Sequence, residues 1–173
     1  MRLVNCSHAA HAAAILDIFN EAIENSTALY DYRPRPLSSM DAWFAGKEAK
    51  GFPVIGCESD AGELLGFASY GTFRERPAYK YSVEHSVYVH RDHRGRGFGR
   101  QLLQALIERA QQQEVHVLVG GIDAANAASI ALHLALGFSH AGTIEQAGFK
   151  FGRWLDLAFY QLILQTPHAP TDG

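Results

Sequence analysis

The stretch Val87-Tyr88-Val89-His90-Arg91-Asp92-His93-Arg94-Gly95-Arg96-Gly97-Phe98-Gly99-Arg100 passes from a β-forming run, through a loop with three glycines, directly into a helical pattern. Glycine lacks Cβ, so a backbone rich in it can bend until its amides converge. The start of the following helix adds unpaired N–H groups and the positive end of the helix dipole. Arg94, Arg96 and Arg100 add full charges. Together these form a seat for a phosphate or pyrophosphate. A Walker loop ends Gly-Lys-Ser/Thr, whereas this one ends Gly99-Arg100-Gln101, which argues against a nucleoside triphosphate with magnesium. The dinucleotide fingerprint needs G-x-G-x-x-G, and glycines at 95, 97 and 99 have the wrong spacing. What the loop does satisfy is Arg94-x-x-Gly97-x-Gly99.

Working outward, residues 2–6 read as a short strand. Ala10, Ala14, Ile15, Ile18, Phe19 and Ile23 recur at helical spacing behind Ser7, a plausible N-cap. A second helix spans Ser38 to Lys47, and Gly51-Phe52-Pro53 ends it. The period then changes. Strands are expected at 54–57 and 64–70 around the turn Ser59-Asp60-Ala61-Gly62, and again from Tyr81 to His90. Past the loop, Phe98, Leu102, Leu103, Leu106, Ile107 and Ala110 mark one helix face. A short buried strand follows at 115–119, then a helix from Asn126 to Leu136 closed by Gly137, then strands near 138–145 and 153–164. This order predicts a mixed α/β sheet with helices on both faces.

Composition narrows the class. With 173 residues, 47% of them hydrophobic and 19% charged, one globular domain over 1–165 is expected, with a polar, disordered tail at 166–173. The formal net charge of −3 offers no general field for nucleic acid or anionic membrane, so the basic cluster at 91–100 needs a local explanation. Cys6 and Cys57 are too few for a disulfide framework. No signal-like segment or apolar run near ~20 residues is present, which predicts a cytoplasmic protein without a membrane partner. His8 and His11, and the trio His85, His90 and His93, lack zinc-like spacing, so no metal is expected.

The glycine loop resembles the coenzyme A loop of the GNAT superfamily of N-acetyltransferases. So does the element order, over nearly all of the chain. Asn126-Ala127-Ala128-Ser129-Ile130-Ala131-Leu132-His133, with Leu136-Gly137-Phe138, resembles the superfamily's Asn-x-x-Ala/Ser-x-x-x-Tyr/His helix and its Leu-Gly-Phe end. Val83-Glu84-His85-Ser86-Val87-Tyr88-Val89 and Gly148-Phe149-Lys150-Phe151-Gly152-Arg153-Trp154-Leu155-Asp156 resemble the branch that acetylates phosphinothricin and methionine sulfoximine. Phe73 and Lys80 depart from that branch, which tends to carry tryptophan and arginine there.

The resemblance implies a mostly antiparallel GNAT acyl-CoA N-acyltransferase sheet splayed between its fourth and fifth strands. Acetyl-CoA would lie in the splay as co-substrate. The backbone of Val87, Tyr88 and Val89 would pair with the pantetheine, Arg94, Gly95, Arg96, Gly97, Phe98, Gly99 and Arg100 would take the pyrophosphate, and Asn126 would bond the pantetheine or thiol end. Glu84 is implied as the base that removes a proton from the amine, since an α-amine is mostly protonated at neutral pH. His133 occupies the place where many members carry a tyrosine that protonates the leaving thiolate; a packed helix histidine is the alternative. Arg74, Tyr79, Lys80, His85 and Ser86 are implied for a small amino-acid substrate, arginine being suited to a carboxylate or phosphinate. Lys150 and Arg153 could reach a partner subunit, because the branch usually forms homodimers. A sensor that binds acetyl-CoA without turnover, and a protein or polyamine acetyltransferase, are the competing readings.

Overall fold

The computed structural model describes residues 1–172. Its elements are β1 (Arg2–Asn5), α1 (His8–Asn25), α2 (Ser39–Ala49), β2 (Val54–Glu58), β3 (Leu64–Thr72), β4 (Ser82–Val89), α3 (Phe98–Gln112), β5 (Val117–Asp123), α4 (Ala127–Ala135), β6 (Ser139–Lys150) and β7 (Arg153–Ile163). The strands form one mixed sheet in the order β1-β2-β3-β4-β5-β7-β6. β4 and β5 are its parallel pair, and β5–β7 and β6–β7 are antiparallel. The mixed α/β class and the element order therefore agree with the pattern of the sequence.

Two compact units emerge from the chain. One comprises Met1–Ser69 with Val87–Leu106, the other Tyr70–Ser86 with Ile107–Gly173. In the first, Ser7 caps α1 by accepting a hydrogen bond from the Ala10 N–H at 3.4 Å. The apolar face of α1 buries Ile15, Ile18 and Phe19 against Met40 and Phe44 of α2 and Phe67 of β3. Phe19, Phe67 and Tyr88 meet ring to ring at 5.1–5.4 Å. Leu102, Leu103 and Leu106 of α3 are fully buried, each contributing about 1.5–3 kcal/mol of hydrophobic stabilisation.

In the second unit the fifth strand begins later than the apolar run Val115–Val119 predicts. The Val115 N–H is taken by the Ala110 carbonyl, which closes the last turn of α3, so pairing starts at Val117 and continues through Gly120 and Gly121 to Asp123. β6 also outruns its expected end at 145 and reaches Lys150. Polar residues and two register shifts hide its length from a period-2 reading. The β6–β7 hairpin turns on Phe151 (φ 51°) and Gly152 (φ 74°), two successive positive φ values that match the right-handed twist of paired strands. The segment after β7 makes hydrogen bonds: the His116 ring to the Thr166 carbonyl at 2.8 Å, and the Thr171 N–H to the Tyr81 hydroxyl at 3.2 Å.

Candidate active site

In the first unit β4 ends at Val89, and the His90 N–H anchors to the Leu65 carbonyl at 2.9 Å. Gly66 lets β3 and β4 approach here: a Cβ on it would lie 2.6 Å from the Tyr88 carbonyl oxygen. One turn of 3₁₀ helix at Arg91–His93 leads into Gly95 (φ +76°) and Gly97 (φ +83°), a backbone region costly for residues with a Cβ, and α3 begins at Phe98. The N–H groups of Arg100 and Gln101 both reach the Gly97 carbonyl, whereas those of Gly95 to Gly99 have no backbone acceptor among the described residues. The space around Gly95 and Gly97 is open. An exposed arc of free amides at a helix start, flanked by the Arg96 and Arg100 charges, fits a pyrophosphate. Arg94 differs from the other two arginines. Its guanidinium is paired with Glu21 and bonds the Val89 carbonyl at 3.3 Å, so it braces the loop.

The second unit carries the titratable groups. β4 alternates: Val83 and His85 are buried, Glu84 and Ser86 exposed. Its parallel pairing with β5 runs Ser82↔Val117, Val83↔Leu118, Glu84↔Val119 and stops. Val119 in turn pairs with Gln161 of β7, so Glu84, Val119 and Gln161 share one face. On that face lies a cavity of about 350 Å³ lined by Phe73, Arg74, Val119, Thr143, Phe159 and Gln161. Gly121 leaves room for the Glu84 carboxylate, whose Oε1 would be 3.3 Å from a Cβ there. Partial removal from water pushes the Glu84 carboxyl above the usual glutamate range, opposed by the Arg74 guanidinium. Arg74 lies over the Phe73 ring at 4.7 Å, and Phe73 meets Tyr79 edge-on at 5.7 Å. Lys80 is turned onto the Tyr81 ring at 5.0 Å.

His85 faces away from Glu84. Its Nε2 lies 2.9 Å from Nε2 of His133, and His133 Nδ1 lies 2.7 Å from the Ser129 carbonyl. Burial pushes the His85 imidazole down to about 3, the neighbouring His133 ring adds to this, and the Val119 backbone opposes it. Burial also lowers His133, with the Ser129 carbonyl opposing. Asn126 caps α4, its side-chain oxygen accepting from the Ser129 N–H at 3.1 Å. At the far hairpin, Lys150 is buried with its ammonium 4.9 Å from the Phe151 ring, and Arg153 lies 3.4 Å from Asp123. No cluster of three or more metal-ligating side chains occurs among the described residues.

The structure thus brings Glu84 and Arg74 to one face, and His85 to His133 on the other. The cavity walls from β6 and β7 were not legible in the sequence, yet the Gly120-Gly121 pair was a signal, since glycine inside a strand marks a close approach.

A depressed histidine has a stability consequence. His85 is neutral in the folded state, so the unfolded chain binds the extra proton first as pH falls below 6.5. Stability is full above that value and declines as pH drops towards about 3. We expect the melting temperature to fall across this window, and His85→Gln to flatten that fall; an unchanged slope would contradict the buried neutral imidazole.

The acetyltransferase (GNAT) family model matches residues 13–138. The L-methionine sulfoximine/L-methionine sulfone acetyltransferase of Pseudomonas aeruginosa is 51% identical over 157 residues, covering 90% of this chain and 91% of that protein. Among solved structures, a phosphinothricin acetyltransferase from Sinorhizobium meliloti in complex with acetyl-CoA superposes with a TM-score of 0.93 at 34% identity, covering 99% of this chain and 94% of the other. A ribosomal-protein-alanine N-acetyltransferase from Brucella melitensis superposes with a TM-score of 0.92 at 45% identity, covering 95% of this chain and all of the other.

Proposed function

Because this chain belongs to the GNAT acetyltransferase family, we propose that it moves the acetyl group of acetyl-CoA onto the α-amine of a small amino acid or analogue, of the class of methionine sulfoximine, methionine sulfone and phosphinothricin. The observation that carries this reading is a cavity of about 350 Å³ lined by Arg74, on the sheet face that also carries Glu84, whose carboxyl feels the Arg74 charge; the volume suits a small amino acid.

Acetyl-CoA would supply a thioester whose carbonyl carbon the amine attacks; the C–N bond forms, the C–S bond breaks, and coenzyme A leaves as the thiol, taking up the second proton that the nitrogen gives up. The amides of Gly95 to Gly99, with Arg96 and Arg100, hold its pyrophosphate, and the backbone of Val87 and Val89 holds the pantetheine. Arg74 takes the substrate carboxylate or tetrahedral anion bidentately. Glu84 accepts the ammonium proton, directly or through a water, leaving the nitrogen lone pair free. A carboxyl held above its usual range is the better base near neutral pH.

The reading extends to a homodimer, supported by the exposed aromatic patch of Phe149, Phe151 and Trp154 at the β6–β7 hairpin. It places the enzyme in the cytoplasm, in keeping with the free thiols of Cys6 and Cys57.

Arg74→Ala tests the substrate end. Losing a charge-assisted contact raises KM for methionine sulfoximine roughly 10- to 100-fold, with a smaller change in KM for acetyl-CoA. An unchanged KM for the amino acid would remove Arg74 from the site.

A further inference from the structure

We infer that His85 and His133 form one proton-sharing wedge that ends the β4–β5 pairing at Glu84 and thereby positions the Glu84 carboxylate, and that His133 is not a proton donor to the leaving group. The inference rests on the reaction proposed above only for its activity readouts.

The tautomers follow from the acceptors. The Ser129 carbonyl can only accept, so His133 Nδ1 carries a hydrogen and donates at 2.7 Å. Neutral His133 therefore presents a bare Nε2. The 2.9 Å contact then requires His85 Nε2–H as donor. Both rings are buried, at 5% exposure each, and Phe138 packs on both at 5.0–5.1 Å. From β5 they face Gly120, with the Val119 backbone also acting on His85, and from α4 the Ser129 carbonyl; His85 Nδ1 is buried without a hydrogen-bond partner, and among the described residues the one titratable group acting on either ring is the other ring.

Gly120 shows how tightly the pair is seated. A Cβ there would lie 3.0 Å from His85 Cε1 and 3.1 Å from His133 Nε2. The strand pairing ends at Glu84↔Val119, one step before His85 and Gly120. The imidazoles thus occupy the point where β4 and β5 part, directly behind the proposed base. A proton donor needs a nitrogen free to meet its acceptor, and both His133 nitrogens are already engaged by protein.

The test combines four variants with a spectrum. In His133→Gln the amide oxygen can accept from His85 and its NH₂ can donate to Ser129. This variant should keep kcat within about 5-fold of wild type and keep the wild-type pH profile. His133→Ala and His85→Ala should each lower kcat roughly 10- to 100-fold, as misplacement of a reacting group does. The double alanine variant should be no worse than either single one. Long-range ¹⁵N spectra of the wild-type protein should show His133 as the neutral Nδ1–H form and His85 as the neutral Nε2–H form from about pH 7 to 9, independently of any turnover. The inference is overturned if His133→Gln is as inactive as His133→Ala and loses an alkaline limb. Alanine variants with full kcat, or a His133 imidazolium in that pH range, would also overturn it. A wild type that acetylates no amine would refute the proposed reaction, while the spectra still decide the tautomers.

Discussion

Glu84→Gln lowers kcat by roughly 10²- to 10⁴-fold, the range of a lost general base, while the affinity for acetyl-CoA stays within about 2-fold. The amide keeps the shape of the side chain and cannot take a proton from the ammonium. With Glu84 as the proposed base, turnover should need its carboxylate, so activity is expected to be full above its pKa and lost as pH falls through it. Desolvation raises that pKa, so the acidic limb of kcat/KM lies above the ordinary glutamate value of 4.5. The limb should disappear in Glu84→Gln. Steady-state kinetics at saturating acetyl-CoA, with calorimetry for binding, read both effects. A variant with wild-type turnover would remove Glu84 from the mechanism.

The second large effect is on stability. Gly66→Ala puts a Cβ 2.6 Å from the Tyr88 carbonyl oxygen and 3.1 Å from both Val89 Cα and Leu102 Cδ1. Two of these neighbours are backbone atoms, which cannot rotate away as a side-chain tip can. β3 and β4 would have to separate where β4 feeds the glycine loop. Overpacking of this kind costs about 1–3 kcal/mol or more, a drop of roughly 2–4 °C in Tm for each kcal/mol. Gly46→Ala is the control. It lies in α2 with nothing within 4 Å, so alanine's better helix propensity should leave stability equal or raised by up to ~1 kcal/mol. Equal melting temperatures for the two variants would contradict the close approach of the strands.

Much of the fold was legible because local chemistry and tertiary packing agree. Ser7 as an N-cap, the apolar stripe of α1, the turn at 59–62 and Gly137 at φ +88° each obey a local rule that the folded chain keeps. β5 begins two residues later than the apolar pattern predicts because Val115 is apolar for burial yet spends its N–H on the end of α3, a choice that hydrophobic pattern cannot show. β6 was cut short because Glu145 and Gln146 interrupt the alternation at a register shift, Gln146 itself sitting at φ 51°.

The site was legible in parts. The loop's proposed phosphate chemistry is legible through spacing, since every glycine and arginine involved is local. The period of a strand separates His85 from the substrate ligands with which the resemblance groups it. Neighbours on β4 face opposite ways, so Glu84 and His85 cannot both serve one cavity. The sequence leaves His133 open between acid and packed histidine and hides its partner, because the pair joins residues 48 apart. The walls from Thr143, Phe159 and Gln161 carry no motif at all and become visible only when β6, β7 and β5 are paired.

The most direct measurement is acetyl transfer itself: purified protein, acetyl-CoA and methionine sulfoximine, with thiol release followed in time and the product weighed by mass spectrometry. The predicted result is one thiol released for each N-acetylated methionine sulfoximine formed, with phosphinothricin also accepted. Measurable acetyl-CoA binding with no thiol released above the blank, for these or any free amino acid, would contradict the account and leave a module that binds the coenzyme without turnover.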